Sequence, residues 1–150
     1  MLESHLELYR SLNAHRVRYV VIGGVAAIFY GSPRMTKDLD LFIEATPGNV
    51  TRLLKALAAA GIGSATLTTP AKVLANEITV LEDVVRVDLL TRIKGLTFHQ
   101  AWPRRLMKTL GGVRIPVISI GHLIRSKRAA GRPIDQQDVT TLRTIKRLTR

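Results

Sequence analysis

Three aspartates and a glycine pair are the residues whose types and spacing could do chemistry. Asp38 and Asp40 lie in the run DLDLFIE at 38–44, which otherwise reads as a buried strand. Successive strand side chains point to opposite faces, so Asp38 and Asp40 share one face while Leu39 and Leu41 turn into the core. Like charges this close repel and raise one another's pKa. A divalent cation removes the repulsion, and hard carboxylate oxygens favour Mg²⁺ or Mn²⁺, which keep waters and bind substrate phosphates. Asp88 interrupts a second apolar run, VVRVDLLT at 84–91, in the same way. A buried unpaired carboxylate is costly, so Asp88 needs a partner. That partner is either a shared cation or Arg86 or Arg92, whose even spacing puts them on its face. The alternative for Asp38 and Asp40 is a strand edge with two solvated acids.

Gly23-Gly24 ends the apolar run VRYVVI and precedes VAAIFY. Glycine lets backbone approach a ligand closely, and the helix that follows offers free N–H groups to a phosphate. A simple tight turn is the competing reading. The pair is neither a dinucleotide fingerprint nor a P-loop, since the further glycines and the Gly-Lys-Ser/Thr of those motifs are missing. Lys127 and Arg132 add positive charge that a triphosphate could use, or are ordinary exposed basic residues. Arg34 and Thr36 flank the strand entry, in a turn role or a substrate role. Asp135 reads as a cap for the last helix, with an orienting contact to Lys127 or Arg132 as the alternative for Asp135 and Asp138. His5, His15, His99 and His122 are scattered without ligand spacing. Phe98 and Trp102 read as packing residues, since stacking platforms carry more aromatics than the 5% here.

The elements that must position these residues follow from periodicity. Leu2, Leu6, Tyr9 and Leu12 recur at helical spacing and predict an amphipathic helix over 3–15. The pattern then predicts a strand at 17–23, a short buried helix ending at Gly31, a loop over 32–37 and the strand at 38–44. Pro47 opens a helix that Gly61 closes. Strands at 77–81 and 84–91 follow, then a short helix within 95–106 and a hairpin over 107–119 turning on Gly111-Gly112. Two helices, 119–130 and 135–148, are punctuated by Gly131-Arg132-Pro133. Interleaved strands and helices predict an α/β (α+β) class with a small mixed β-sheet flanked by helices. The expected organisation is one domain over 1–150, with 119–150 a C-terminal helical extension packing on it.

Composition narrows the function classes. A hydrophobic fraction of 46% over 150 residues suits a globular chain. No apolar run approaches the roughly 20 residues that span a bilayer, and the first residues do not read as a signal peptide. The absence of cysteine excludes disulfides and thiolate metal sites and fits a cytoplasmic protein. The net charge of +12 is uneven: residues 1–103 hold 11 Lys+Arg against 9 Asp+Glu, and residues 104–150 hold 12 against 2. A basic C-terminal third points to an anionic partner such as a nucleic acid, a phosphate-bearing substrate or an acidic protein.

Taken together, Ile22-Gly23-Gly24, a spacer of 13 residues and Asp38-Leu39-Asp40-Leu41 resemble the nucleotidyltransferase superfamily related to DNA polymerase beta. Two stretches are similar to its small bacterial members, including abortive-infection-type toxins. GSPRMTKDLDLF carries Arg34, Thr36, Asp38 and Asp40, and HLIRSKRAAGRPIDQQDVTTL carries Lys127, Gly131, Arg132, Asp135 and Asp138. The resemblance covers about residues 19–142 and implies a nucleotidyltransferase-like fold. The reaction it implies is transfer of a nucleoside monophosphate from an NTP, such as ATP, to an acceptor hydroxyl, with release of pyrophosphate. Asp38 and Asp40 would hold Mg²⁺ (or Mn²⁺), Asp88 would hold the ion that activates the acceptor, Gly23-Gly24 would cradle the triphosphate, and Lys127 would touch its phosphates. Arg34, Thr36 and Arg132 would complete the nucleotide site. The acceptor would be RNA, such as a tRNA end, or a protein, and an antitoxin partner would fit the toxin branch. The rival readings are a nucleic-acid-binding module built on the last two helices, with Arg143, Lys146 and Arg147 on its surface, and a relative that has lost catalysis.

Overall fold

The computed structural model describes residues 5–149. Leu2 and the first residues of the predicted amphipathic helix lie outside the described residues; the rest of that helix is α1 (Leu6–Ala14). Among the described residues six strands form one sheet: β1 (Tyr19–Ile22), β2 (Leu39–Ile43), β3 (Ile78–Glu82), β4 (Arg86–Leu90), β5 (Leu106–Leu110) and β6 (Val113–Val117). Their spatial order is β3-β4-β2-β1-β6-β5. The sheet is mixed: β1 runs antiparallel to β2 and parallel to β6, β2 runs parallel to β4, and two antiparallel hairpins close the edges. The mixed α/β class expected from the sequence is the class observed.

Burial explains which strands are central. All of β1 is buried, and β2 is buried except at Asp40, because helices cover both strands. Strand β3 lies at an edge and leaves Ile78 and Val80 exposed. Leu39, Leu41, Ile115 and Val117 meet Tyr9 and Leu12 of α1 in a continuous core, together with Leu53 and Leu57 of α3 (Pro47–Ala59). Fully burying side chains of this kind stabilises by roughly 1.5–3 kcal/mol each, so the core sets the frame on which polar residues are held. Asn49, fully buried, stitches α3 to β1: its amide donates to the carbonyls of Arg18 and Glu44 and accepts from the Arg18 N–H.

Two regions differ from the sequence pattern. Helix α2 (Gly23–Phe29) begins at the glycine pair itself, so the glycines form its first turn. Residues 62–76, assigned no element from periodicity, contain a short 3-10 turn at Gly63–Leu67 and α4 (Pro70–Ala75). The cue was present: Thr69 caps α4 ahead of Pro70 just as Thr46 caps α3 ahead of Pro47. The short helix in the 95–106 segment is α5 (Phe98–Ala101), followed by a 3-10 turn.

The C-terminal pair is α6 (Ile120–Ala130) and α7 (Pro133–Leu148), and α7 starts at Pro133, two residues earlier than the predicted boundary. Gly131 stops α6 in the left-handed conformation, φ 68°, which an L side chain would resist. Helix α6 packs against α2 and α7 packs against α6. None of the described helices is long and apolar enough to cross a membrane.

Candidate active site

The carboxylates come from neighbouring strands. Asp40 and Asp88 are register partners across the parallel β2–β4 pairing, so their side chains project side by side from the same face. Burial, then the charge of Asp88, push Asp40 up to about 7, and Asp38 adds to the repulsion while Lys127 opposes it. Asp38 lies one residue before β2, in the entry loop, with its side chain 46% exposed. Asp40 and Asp88 thus form an inner pair from two strands, and Asp38, one residue before β2 begins, stands at the mouth of the same cleft.

Arg86 is the basic residue that meets the acids directly. Its Nε and Nη2 donate to the two oxygens of Asp88 at 3.0 and 3.4 Å, and Nε lies 3.7 Å from Asp38 Oδ2. The carboxylate of Asp88 holds the Arg86 guanidinium above its ordinary pKa. Of the two arginine partners open to Asp88, the fold selects Arg86; Arg92 instead pairs with Glu77 at 3.7 Å.

The glycine pair makes room for this cluster. A Cβ on Gly23 would stand 2.1 Å from Asp40 Oδ2, and Gly23 has φ +69°. A Cβ on Gly24 would stand 2.8 Å from an Arg34 guanidinium nitrogen and 3.0 Å from the Thr36 methyl. Gly23 is thus favoured by its backbone angle and by close packing against Asp40, while Gly24 leaves room for Arg34 and Thr36.

The opposite wall is an ion network centred on α7. Asp138, almost fully buried, accepts from Lys127 Nζ at 2.7 Å and from Arg34 Nε and Nη2 at 3.0 and 2.9 Å. Burial raises the Asp138 pKa, but the hydrogen bonds from Lys127 and Arg34 outweigh it and hold the carboxyl below its ordinary value. Lys127 is only 6% exposed, which corrects the reading of an ordinary surface lysine. Its ammonium is paired with Asp138, a carboxylate it shares with Arg34, so it braces α6 against α7. Arg132 donates to Asp135 through its backbone N–H at 3.2 Å and its Nε at 2.7 Å, while most of its side chain stays exposed. Asp135 therefore acts at the third position of α7, with both a capping bond and an orienting bond to Arg132. Asp138 serves the second alternative read from the sequence, orientation of Lys127.

These groups line one cleft of about 670 Å³. Gly23, Gly24, Arg34, Thr36, Asp38, Asp40, Asp88, Lys127 and Arg132 all border it. Sequence reasoning missed its apolar side, formed by Ile78, Leu90, Ile93 and Ile134. These residues come from β3, the end of β4, the segment after it and the start of α7, so no local pattern in the sequence marks them as one surface. Phe98 stacks on Trp102 and meets Phe42 edge-on, confirming both as packing residues.

Over residues 1–150 the sequence matches the family described as nucleotidyl transferase of unknown function (DUF2204). The chain belongs to that family. No curated protein matches this nucleotidyltransferase-family chain significantly. Two solved structures are similar in fold. An antigenic nucleotidyltransferase-like protein from Paracoccidioides brasiliensis aligns with TM-score 0.57 at 17% identity, covering 94% of this chain and 74% of that one. A candidate nucleotidyltransferase from Thermotoga maritima aligns with TM-score 0.56 at 14% identity, covering 99% and 91%. At these identities they support the fold alone, and the fold is nucleotidyltransferase-like.

The donor set suits a hard divalent cation. Asp40 and Asp88 offer adjacent oxygens whose mutual repulsion a cation would relieve, and Asp38 stands at the mouth. Among the described residues, however, no three acidic or histidine side chains are gathered into a ready-made cation cage.

Proposed function

We propose that this chain is a metal-dependent nucleotidyltransferase that moves a nucleoside monophosphate from an NTP to an acceptor hydroxyl. The observation that carries the proposal is the Asp40–Asp88 pair, two carboxyls forced together at the base of a cleft whose far wall is cationic. A fold that keeps such repulsion in place has a use for it, and a cation-bound triphosphate is the ligand that uses it best. Asp40 and Asp88, with Asp38, would hold Mg²⁺ or Mn²⁺. The ion supplies charge neutralisation and polarises phosphoryl oxygens when bound.

The remaining roles belong to the chain's own residues. Gly23 and Gly24 present backbone without side chains, so a triphosphate can approach closely. Arg132, exposed at the rim and aimed by Asp135, contacts phosphate. Arg34 and Thr36 border the same pocket, with Arg34 fixed by Asp138. Lys127 holds the α6 wall in register and adds positive potential without leaving Asp138. Asp88 accepts the acceptor hydroxyl proton. The acceptor oxygen bonds to the α-phosphorus, the bond to the β-phosphate oxygen breaks, and pyrophosphate leaves with that electron pair. Positioning of this kind is what phosphoryl transfer chiefly requires of a protein.

Incubation with each α-labelled NTP, Mg²⁺ and total RNA or protein tests the reading. Label should move to an acceptor with wild type and not with Asp40→Asn/Asp88→Asn. A second reading, a relative without catalysis, is favoured by Arg86, which already neutralises Asp88. It gains if no label moves and equilibrium dialysis shows no Mg²⁺-dependent NTP binding. The proposal extends to an RNA acceptor, to the cytoplasm and to a toxin with an antitoxin partner on sequence likeness and charge. Growth arrest on induced expression, relieved by Asp40→Asn, checks the toxin role.

A further inference from the structure

Helix α6 separates two concavities. Ser126, Lys127 and Ala130 face the carboxylate cleft. Gly121, Ile124, Arg125, Arg128 and Ala129 face away from it, into a second groove of about 880 Å³ that α7 completes with Arg143, Lys146 and Arg147. The two sets share no residue, which follows from helical spacing: positions 121, 124, 125 and 128 lie on one face and 126, 127 and 130 on the other.

The charged lining of the groove is entirely cationic. Arg125, Arg128, Arg143, Lys146 and Arg147 line it, no acid does, and among the described residues none of the five takes part in an ion pair. On the same two helices Lys127 and Arg132 do find carboxylates. Its floor is small and apolar, Gly121, Ile124 and Ala129, and the Lys146 ammonium lies over Gly121, 3.6 Å from where a Cβ would stand.

We infer that this α6–α7 groove binds the sugar-phosphate backbone of a double-helical nucleic acid. Charge agrees: five cations and no acid line the groove, two from α6 and three from α7, so it offers a concentrated positive surface to a phosphodiester backbone. No aromatic side chain lines the groove, so there is no platform on which the bases of a single strand could stack. The ligand is therefore held by its backbone, and recognition is of helical form with little base readout. A duplex seated there lies one helix thickness, about 10–12 Å, from the cleft. On the nucleotidyltransferase reading it is the acceptor, docked beside the chemistry; the docking itself does not depend on that reading.

The test is fluorescence anisotropy with a labelled RNA stem-loop across a salt series. Wild type should show a log–log salt slope near −4.5 if all five cations meet phosphates, from about −0.9 per contact. Arg143→Gln/Lys146→Gln/Arg147→Gln should reduce the slope by about 2.7 and weaken binding at physiological salt by more than tenfold. Arg125→Gln/Arg128→Gln should reduce it by about 1.8. Lys55→Gln/Lys72→Gln/Arg114→Gln, which removes the same charge from exposed positions elsewhere, should leave it near the wild-type value. Equal losses in the groove and control variants, or none in the groove variants, overturn the inference. So does binding of a polyglutamate peptide as tight as that of the stem-loop, which would make the occupant an acidic protein. Unlabelled duplex DNA and single-stranded RNA as competitors separate form from sugar, and stronger competition by the single strand also overturns it. Mg²⁺-dependent NTP binding, measured on the same variants, should be unchanged. Loss of NTP binding in wild type with stem-loop binding intact would sink the transferase reading and leave the groove standing.

Discussion

The two faces of α6 handle positive charge in opposite ways. Toward the cleft, Lys127 is buried and its ammonium is hydrogen-bonded to Asp138, a carboxylate it shares with Arg34. Toward the groove, five cations stand without carboxylates among the described residues. The difference follows from solvation. A buried charge must be paired or it forfeits several kcal/mol, whereas an exposed one is hydrated and can wait for a ligand. The cleft is therefore a preorganised site, and the groove is a surface completed only by its partner.

The largest effect should come from the hub of the cleft wall. Asp138→Asn strands Lys127 and half-frees Arg34, and should cost about 3–5 kcal/mol in urea unfolding. Lys127→Met/Asp138→Leu should recover much of that loss, since paired removal leaves no orphaned charge. A loss well below about 1 kcal/mol for the single variant would mean the network is hydrated, erasing the contrast.

Acid–base behaviour comes next. Asp40 titrates near 3.8 when unfolded and about 7 in the fold. Between those values the folded state holds the extra proton, so this group's contribution falls as pH rises through that window. At about 1.4 kcal/mol per unit, metal-free wild type should lose on the order of 2–4 kcal/mol relative to Asp40→Asn from pH 4 to pH 8. On the proposed metal reading, Mg²⁺ should restore wild type at the upper end and leave the variant unchanged. Parallel profiles for the two proteins would show that Asp40 and Asp88 are not in contact.

Gly23→Ala combines an unfavourable backbone angle with a clash on the Asp40 carboxyl. A left-handed L residue costs roughly 1–2 kcal/mol, and displacement of Asp40 adds to it, so a loss of about 2 kcal/mol in thermal unfolding is expected. Smallest of all, the Gln variants in the groove should change stability by no more than about 0.5 kcal/mol, since exposed charges away from packed features rarely matter more. A large loss there would show that the groove is part of the folding core.

Much of this was legible in the chain. Strand runs, the Gly111-Gly112 hairpin and the Asp-x-Asp and Gly-Gly signatures are local, and local patterns report backbone preference directly. Asp138 was visible as a candidate partner of Lys127, but its bond to Arg34 spans more than a hundred positions and has no local trace. Arg86 was one of two equivalent candidates beside Asp88, and only the position of Asp38 and the sheet edge separate it from Arg92. Helix α4 was missed because six residues are too few to show a hydrophobic period, although its Thr-Pro start repeats that of α3.

By itself the sequence determined the element types, the charge asymmetry and the identity of the acids, because these depend on neighbours along the chain and on residue chemistry. Tertiary structure decided which carboxyls meet, which cations are spent on them and which remain free. That decision rests on strand register and on the rotation of one helix between two cavities, and neither is encoded at a single position.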